Sequence, residues 1–441
     1  MRRQQKCVRK IQAVVTVLCC TLGFSQAARA ADVVVHAGNL LDVRSGKIRQ
    51  HVSVIIRGDR IASVESGYLL PAGDYTVVDL RGYTVLPGLI DCHVHLANEL
   101  SPKSRADPFF LNMADFGFRA LRAGLITLSA GFTTVRDVGD RSGAVISLRN
   151  SIEKGWVNGP RIFAAGRTIA TTGGHGDPSS GLSPGWMAEM RPSDGVVNGP
   201  DEAREAIRSR YKDGSDLIKI TATGGVLSLG RSGDNAQFTD EELAAIVQTA
   251  RDYRFTVAAH AHGREGMARA IRAGVNSIEH GSALDRDLAV QMVKKKTFLV
   301  PTLSAGATVT ERSADPQFFP PAIRAKALEI GPKLARVIKL AREVGVKIAF
   351  GTDAGVGLHG QNAREFGLMV DAGIEPLAAI QSATIGAAEL LQESENLGVV
   401  EKGKYADLIA VGGNPLENIR VLERVEFVMK GGVVVKGAKP H

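Results

Sequence analysis

Cysteine is scarce in this 441-residue sequence, and it stands where it cannot staple a fold. Three of the four, Cys7, Cys19 and Cys20, lie in the first twenty residues. Only Cys92 remains beyond them, and one cysteine closes no intrachain disulfide. A chain of this length buries enough core to do without one. Long hydrophobic runs are missing as well. The apolar stretch "IQAVVTVLCCTLGF" is short for a membrane span. It follows the basic "MRRQQKCVRK" and precedes the small residues of "AARA", so residues 1–30 read as a secretory signal peptide cleaved near Ala30. No small residue precedes Cys19, which excludes a lipoprotein signal. The expectation is an exported protein, periplasmic or secreted, with no membrane span in its mature form. Excess charge disappears with the signal. Residues 1–30 hold six cations and no acid, so the net charge falls from +8 to +2 on their removal. The basic balance belongs mostly to the signal, and no nucleic-acid partner is expected. Short tandem repeats, low-complexity segments and long linkers are absent too.

What is present is an ordinary soluble-globular composition, 44% hydrophobic and 23% charged, with two different patterns along the chain. Residues 31–87 read as short strands and turns: "DVVVHAG", "VSVIIRGDRIASVES" and "YTVVDLRGYTVLPG". Residues 396–441 read likewise, with "ADLIAVGGNPL" and "VEFVMKGGVVVKG". Both chain ends are expected to build one small β-sandwich domain. The middle, residues 88–395, alternates strands with helical patterns. The proposed strands are "GLIDCHVH", "FTTVRDVG", "RIFAAG", "DLIKIT", "FTVAAHAH", "VNSIEH", "TFLVPTL" and "VKIAFGTD". Among the helices, "TDEELAAIVQTARDY" opens on a capping pattern, Thr239 followed by Glu242. Eight βα units over roughly 250–300 residues predict an α/β fold with a TIM (β/α)8 barrel. Such barrels carry their chemistry at the C-terminal ends of the strands, and the polar residues here stand at those ends.

Seven of the ten histidines (His93, His95, His175, His260, His262, His280 and His359) fall at or just after these strands. Side chains two apart on a strand share a face, so His93 and His95 point together, as do His260 and His262. Either pair alone is as compatible with hydrogen-bonded core histidines as with a metal site. Lys219 tips the balance. It stands inside the apolar strand "DLIKIT", where an unpaired ammonium is costly. It is either salt-bridged or a lysine of lowered pKa that takes up carbon dioxide as a carbamate. With His280 from "SIEHG" and Asp353 from "FGTDAG", the set is His93, His95, Lys219, His260, His280 and Asp353. Imidazoles and hard oxygens in this number suit zinc or a similar divalent ion.

These motifs, in this order, resemble the amidohydrolase superfamily. The resemblance runs from "DCHVH" to the closing "GVVEKGKYADLIAVGGNPL". It implies two divalent metal ions. His93, His95 and Asp353 would hold one, His260 and His280 the other, and N6-carboxylated Lys219 would bridge them. The texts "TTGGHGD", "DLIKITATGG", "VAAHAHG", "SIEHG" and "FGTDAG" look most like the exported dipeptidase and carboxypeptidase branch, commonly called Xaa-Pro dipeptidase or prolidase. They are also similar to the ochratoxin-hydrolysing amidohydrolases. The implied activity is cleavage of dipeptides or N-acyl amino acids to release the C-terminal amino acid. A hydroxide between the metals would attack. Asp353 would take its proton and return it to the leaving amine. His175 and His262 would hold the substrate carboxylate. The small-molecule amide is the expected partner, and relatives form homo-oligomers. His359 stays open between a substrate contact and loop packing. Asp91 faces inward with His93 and is expected to support it, and Cys92 is expected to pack outward. The rival readings are a cyclic-amide hydrolase of the imidazolonepropionase or dihydroorotase kind and a non-catalytic metal-binding protein. Lys219 argues against the first of these enzymes, the pair His175 and His262 against the second, and the intact ligand set against the protein without activity. The loop "SLGRSGDNAQ" carries Arg231 and Asp234, of opposite charge, so it does not choose a substrate side chain.

Overall fold

The computed structural model describes residues 32–70, 72–183, 189–230 and 232–437. The signal-peptide expectation, the cleavage site near Ala30, the three early cysteines and Arg231 lie outside them.

The fold is α/β. Strands β1 (Asp32–Leu41), β2 (Ile48–Arg57), β3 (Arg60–Ser66) and β4 (Tyr75–Pro87) come from the N-terminal side. Next come β5 (Leu89–Val94), β6 (Phe132–Asp137), β7 (Arg161–Ala164), β8 (Ile218–Thr221), β9 (Val257–Ala261), β10 (Ser277–His280) and β11 (Phe298–Val300). The last three are β12 (Leu408–Val411), β13 (Val425–Lys430) and β14 (Val433–Lys436). Both chain ends do share one sheet, in the order β14-β13-β12-β4-β1-β2-β3. Its alternating residues, among them Val35, Val54, Ile56, Leu80, Leu408 and Phe427, form a core of their own. The chain leaves this sheet at Gly88, between β4 and β5. A Cβ there would lie 2.2 Å from Thr133 Oγ1, so only glycine lets the two layers approach.

The middle strands pair in parallel, as β5-β6-β7 and as β11-β10-β9-β8, with helices between most of them. Every residue of β5, β6, β8, β9, β10 and β11 is buried, which is why these strands read as apolar runs without alternation. The helix Asp240–Asp252 starts on the predicted capping box. Glu242 N donates to Thr239 Oγ1 and Thr239 N to Glu242 Oε2.

Seven of the eight proposed middle strands are regular. The eighth, "VKIAFGTD", is extended chain with bonds on both sides but a single bridge, Leu299↔Ile348. Leu299 N donates to Lys347 O on one side, and Cys92 N to Phe350 O on the other. Its pairing with β5 is sparse, and Asp353 turns into the left-handed region (φ 57°) at its end, so no continuous ladder forms. The parallel ladders are likewise joined by one bridge, Ile169↔Ile220. The polar residues His93, His260 and His280 lie in the C-terminal halves of their strands, Lys219 is the second residue of the four-residue β8, and His95, His262 and Asp353 stand just beyond their strands. Among the described residues no helix is long and apolar enough to cross a membrane.

Candidate metal centre

The strand ends bring the histidines into one cluster. Ring centroids lie 5.4 Å apart for His93 and His95, 5.0 Å for His93 and His280, and 4.8 Å for His260 and His280. Each ring is tied on one side. His95 Nδ1 meets Gly139 O at 2.9 Å, and a carbonyl only accepts, so Nδ1 carries the proton and Nε2 an open lone pair. His93 Nδ1 donates to Glu279 Oε2 at 2.7 Å, which again leaves Nε2 open. His260 is reversed. Its Nε2 donates to Gly224 O at 3.0 Å, so Nδ1 is the open atom. His280 Nδ1 pairs with Thr302 Oγ1 at 2.6 Å. This is how ligating imidazoles are usually oriented from behind.

Asp353 supplies the observation that tests the fit to a metal. Its Oδ1 is buried with no hydrogen-bond partner, 3.4 Å from His95 Nε2 and 3.7 Å from His93 Nε2. With Asp353 ionised, three atoms that only accept converge with no donor among them. A cation resolves that frustration, and the donor set fits a divalent one. Candidate ligand atoms of His93, His280 and Asp353 lie within 4.8 Å of one another, as do those of His260, His262 and His280. Burial pushes the pKa of His93, His260 and His280 well below the usual imidazole range and that of His95 to about 4, so the rings are neutral, as ligands must be.

Lys219 is buried in the same cluster, and its ammonium makes no hydrogen bond or ion pair among the described residues. Burial lowers its pKa, against the attraction of Glu279 and Asp353. Asp353 moves the other way: burial raises its carboxyl, against the attraction of Lys219. Backbone strain gathers here too. Seven non-glycine residues have positive φ among the described residues, and His280, Thr302 and Asp353 are three of them. Such conformations persist where the surroundings over-determine them, typically at functional sites.

The two residues expected to contact substrate are beside the centre. The His175 ring is 4.4 Å from that of His260, and its Nδ1 is buried without a partner. Burial lowers its pKa to about 3, so it offers an N–H rather than a charge. His262 hydrogen-bonds Ser282 Oγ through Nδ1 at 3.0 Å and also belongs to the second ligand-compatible group. His359 is not in the cluster. It is half-buried in the loop beyond Asp353, with Nε2 donating to Asn98 O at 3.0 Å and Nδ1 buried without a partner. Asp91 supports the site through the backbone, accepting from His93 N and from Thr352 N and Oγ1 next to Asp353. Cys92 packs outward against Ala387 and Ala388, and burial pushes its thiol up to about 12.

Sequence reasoning missed Arg136 and Glu279. Arg136 is 2% exposed and pairs with Glu279 at 2.8 Å. Glu279 is wholly buried, and its other oxygen orients His93. Both stand in apolar strand text, "TTVRDVG" and "SIEHG", the signal that exposed Lys219. Arg136→Met leaves the Glu279 carboxylate buried without its counter-charge, held only by His93 Nδ1 and Ser277 Oγ, so the metal-free protein should lose about 3–5 kcal/mol. Urea unfolding reads this directly, and an unchanged midpoint would count against a structural pair.

Comparison with known proteins follows the same lines. The sequence pattern of the Amidohydrolase family matches residues 84–435. A crystal structure of a Xaa-Pro dipeptidase with methionine bound in its active site is 48% identical, with TM-score 0.89, covering 92% of this chain and 100% of that one. A prolidase crystallised with N-methylphosphonate-L-proline is 35% identical, with TM-score 0.84, over 92% and 100% of the two chains. The ochratoxinase of Aspergillus niger is 31% identical over 428 residues, 92% of this chain and 86% of the other. The chain belongs to the amidohydrolase family and is a hydrolase acting on amide bonds.

Proposed function

We propose that this amidohydrolase cleaves a dipeptide or an N-acyl amino acid and releases the C-terminal amino acid. The observation that carries the reading is the convergence of Asp353 Oδ1 with the open Nε2 atoms of His93 and His95, beside His175 and His262. One relative holds methionine, an amino acid, and another holds N-methylphosphonate-L-proline, an N-substituted one, which supports an amino-acid product here.

His93, His95 and Asp353 would hold one divalent ion and His260 and His280 a second, zinc by the chemistry of the donors, with carboxylated Lys219 between them. When bound, such ions supply a nucleophilic hydroxide at neutral pH and polarise the scissile carbonyl. The chain's own residues do the rest. Asp353 accepts the attacking oxygen's proton and returns it to the leaving amine. His175 and His262 donate N–H bonds to the substrate carboxylate. Glu279 and Gly139 fix the tautomers of His93 and His95.

The same reading extends to the architecture. The parallel ladders would close into a (β/α)8 barrel over 88–395 through the segment ending at Asp353. The seven-stranded sheet of 31–87 and 396–441 would fold over its own core as a β-sandwich. Residues 1–30 would direct export to the periplasm or medium, and the mature chain would form a homo-oligomer.

The test is a panel of dipeptides and N-acyl amino acids, with hydantoins and lactams as the cyclic alternative, assayed with zinc and after chelation. Linear substrates carrying a free carboxylate should be hydrolysed, and the chelated protein should lose that activity until metal returns. Full activity in a metal-free preparation, or turnover of the cyclic amides alone, would sink the reading.

A further inference from the structure

Lys219 and Lys326 are the two buried lysines among the described residues, and the mechanism above uses only the first. Lys326 stands in the helix Pro321–Ile330, far along the chain from every proposed ligand except Asp353. Its Nζ donates to Gly225 O at 3.1 Å, Ser228 O at 2.7 Å and Gly230 O at 2.9 Å. All three ammonium protons are thus spent on the backbone of one segment.

That segment is an excursion from the end of β8, the Lys219 strand. It is pinned at its base by the Thr223↔Ala236 bridge and by Gly224 N donating to Asn235 O at 3.0 Å. It touches the centre at two places. Gly224 O takes the Nε2 proton of His260, which decides that Nδ1 is the open atom of that ring. Gly225 lies against His175 so closely that a Cβ would come within 2.5 Å of Nδ1 and Nε2 of the ring. Farther out, Ser232, Gly233 and Asp234 form one wall of a cavity of about 220 Å³, with His262, Ser282 and Lys326 among its other walls. The segment is glycine-rich, and its own hydrogen bonds are local: Asp234 N and Asn235 N donate to Ser232 Oγ. Val226 gives it an apolar foothold against Ile323, Ala327 and Ile330. Ser228 Oγ also donates to Gly225 O at 2.9 Å and Arg105 reaches Leu227 O, but Lys326 is the side chain that gathers three of the segment's carbonyls on one atom.

We infer that Lys326 is a positioning residue: its three carbonyl bonds lock the segment described at 224–230 and 232–235, and the segment in turn fixes the His175 and His260 rings and the cavity beside His262. The bland alternative is a lysine that merely satisfies carbonyls and adds stability. The two differ in where the loss appears. A lock on the substrate-facing wall acts chiefly on substrate binding, because Asp353, His93 and His95 are held by other strands, and Gly224, which orients His260, is held by Thr223 Oγ1 and Asn235 O rather than by Lys326. The kinetic part rests on the function proposed above; the lock itself does not.

The experiment uses the full chain with Lys326→Met, which keeps the stem and removes the donors, and Lys326→Arg, which restores them. Hydrogen exchange is the first readout. In Lys326→Met the amides of 224–235 should exchange at least about tenfold faster while the parallel strands hold their rates, and Lys326→Arg should recover most of the protection. The second readout is kinetic. KM for the best amide of the panel should rise about tenfold with kcat within about threefold, and the arginine variant should reverse it. Unchanged exchange in 224–235, or faster exchange spread evenly over the chain, overturns the lock. Loss confined to kcat overturns its link to substrate binding. A wild-type protein that hydrolyses no amide sinks the functional reading instead, and exchange still decides for or against the lock.

Discussion

Asp353→Asn loses roughly a hundredfold to ten-thousandfold in kcat, the usual worth of a positioned acid–base group. The substitution is nearly isosteric, so the packing around the residue survives. Oδ1 makes no hydrogen bond to lose. The left-handed backbone at this position (φ 57°) suits Asn as well as Asp. What changes is the chemistry of one atom. A carboxylate oxygen facing His93 Nε2 and His95 Nε2 can accept a proton and give it up again, whereas an amide does neither at neutral pH. KM should stay within a few-fold, since His175 and His262 are untouched. The metal-free variant should melt at or above the wild-type temperature, because a buried carboxylate has become a neutral group of the same size. Steady-state kinetics with metal analysis on the same sample reads all three. A variant that binds the full complement of metal and keeps kcat within tenfold would remove Asp353 from proton transfer and leave it a ligand only.

The sequence exposed much of this site for one physical reason. His93, Lys219, His260 and His280 are polar residues in strands that are otherwise apolar and wholly buried, so each stands out against its neighbours. Arg136 and Glu279 broke the same rule. They passed unnoticed because they neutralise each other across two strands, and neither strand alone reveals its partner. Lys326 was illegible for a different reason. It sits on a helix with partly exposed flanks, where a lysine is unremarkable, and its partners are backbone carbonyls that no residue type announces. Thr302 is another such case. Its hydroxyl sets the His280 ring only because the chain takes a left-handed turn there, which a β-branched residue gives no hint of. The fold was readable where side-chain pattern controls it, in the buried strands and in the capping box at Thr239. It was less so in the segment before Asp353, whose hydrogen bonds follow from its neighbours on both sides rather than from its own residues.

Lys219→Met should be as damaging as Asp353→Asn by a different route, through loss of the ligand proposed above. Lys219 is buried among rings that present lone pairs, and its ammonium has no hydrogen-bond or ion-pair partner among the described residues. An ammonium left in that state carries a charge of the same sign as the ions the histidines would bind, and burial costs it most of its solvation. Reaction of the neutral amine with carbon dioxide removes both conflicts. The Nζ–C bond forms, one proton leaves, and the product is an anion with two oxygens able to reach two ions. Burial favours the neutral amine that must react first. Methionine has a similar length and no charge, so the metal-free variant should fold and be more stable than the metal-free wild type. Bound metal should fall to one ion per chain or fewer, and kcat/KM by about a thousandfold or more, as losing a bridging ligand removes both electrostatic stabilisation and metal. A short carboxylate such as acetate or propionate, small enough for the space the stem leaves in Lys219→Ala, should recover part of the activity by standing in for the carbamate. Native mass spectrometry of the wild type should show the added mass of one carbon dioxide, lost on acidification. Two ions per chain in Lys219→Met, or carboxylate rescue equal in wild type and variant, would leave Lys219 a buried lysine with no part in the bridge.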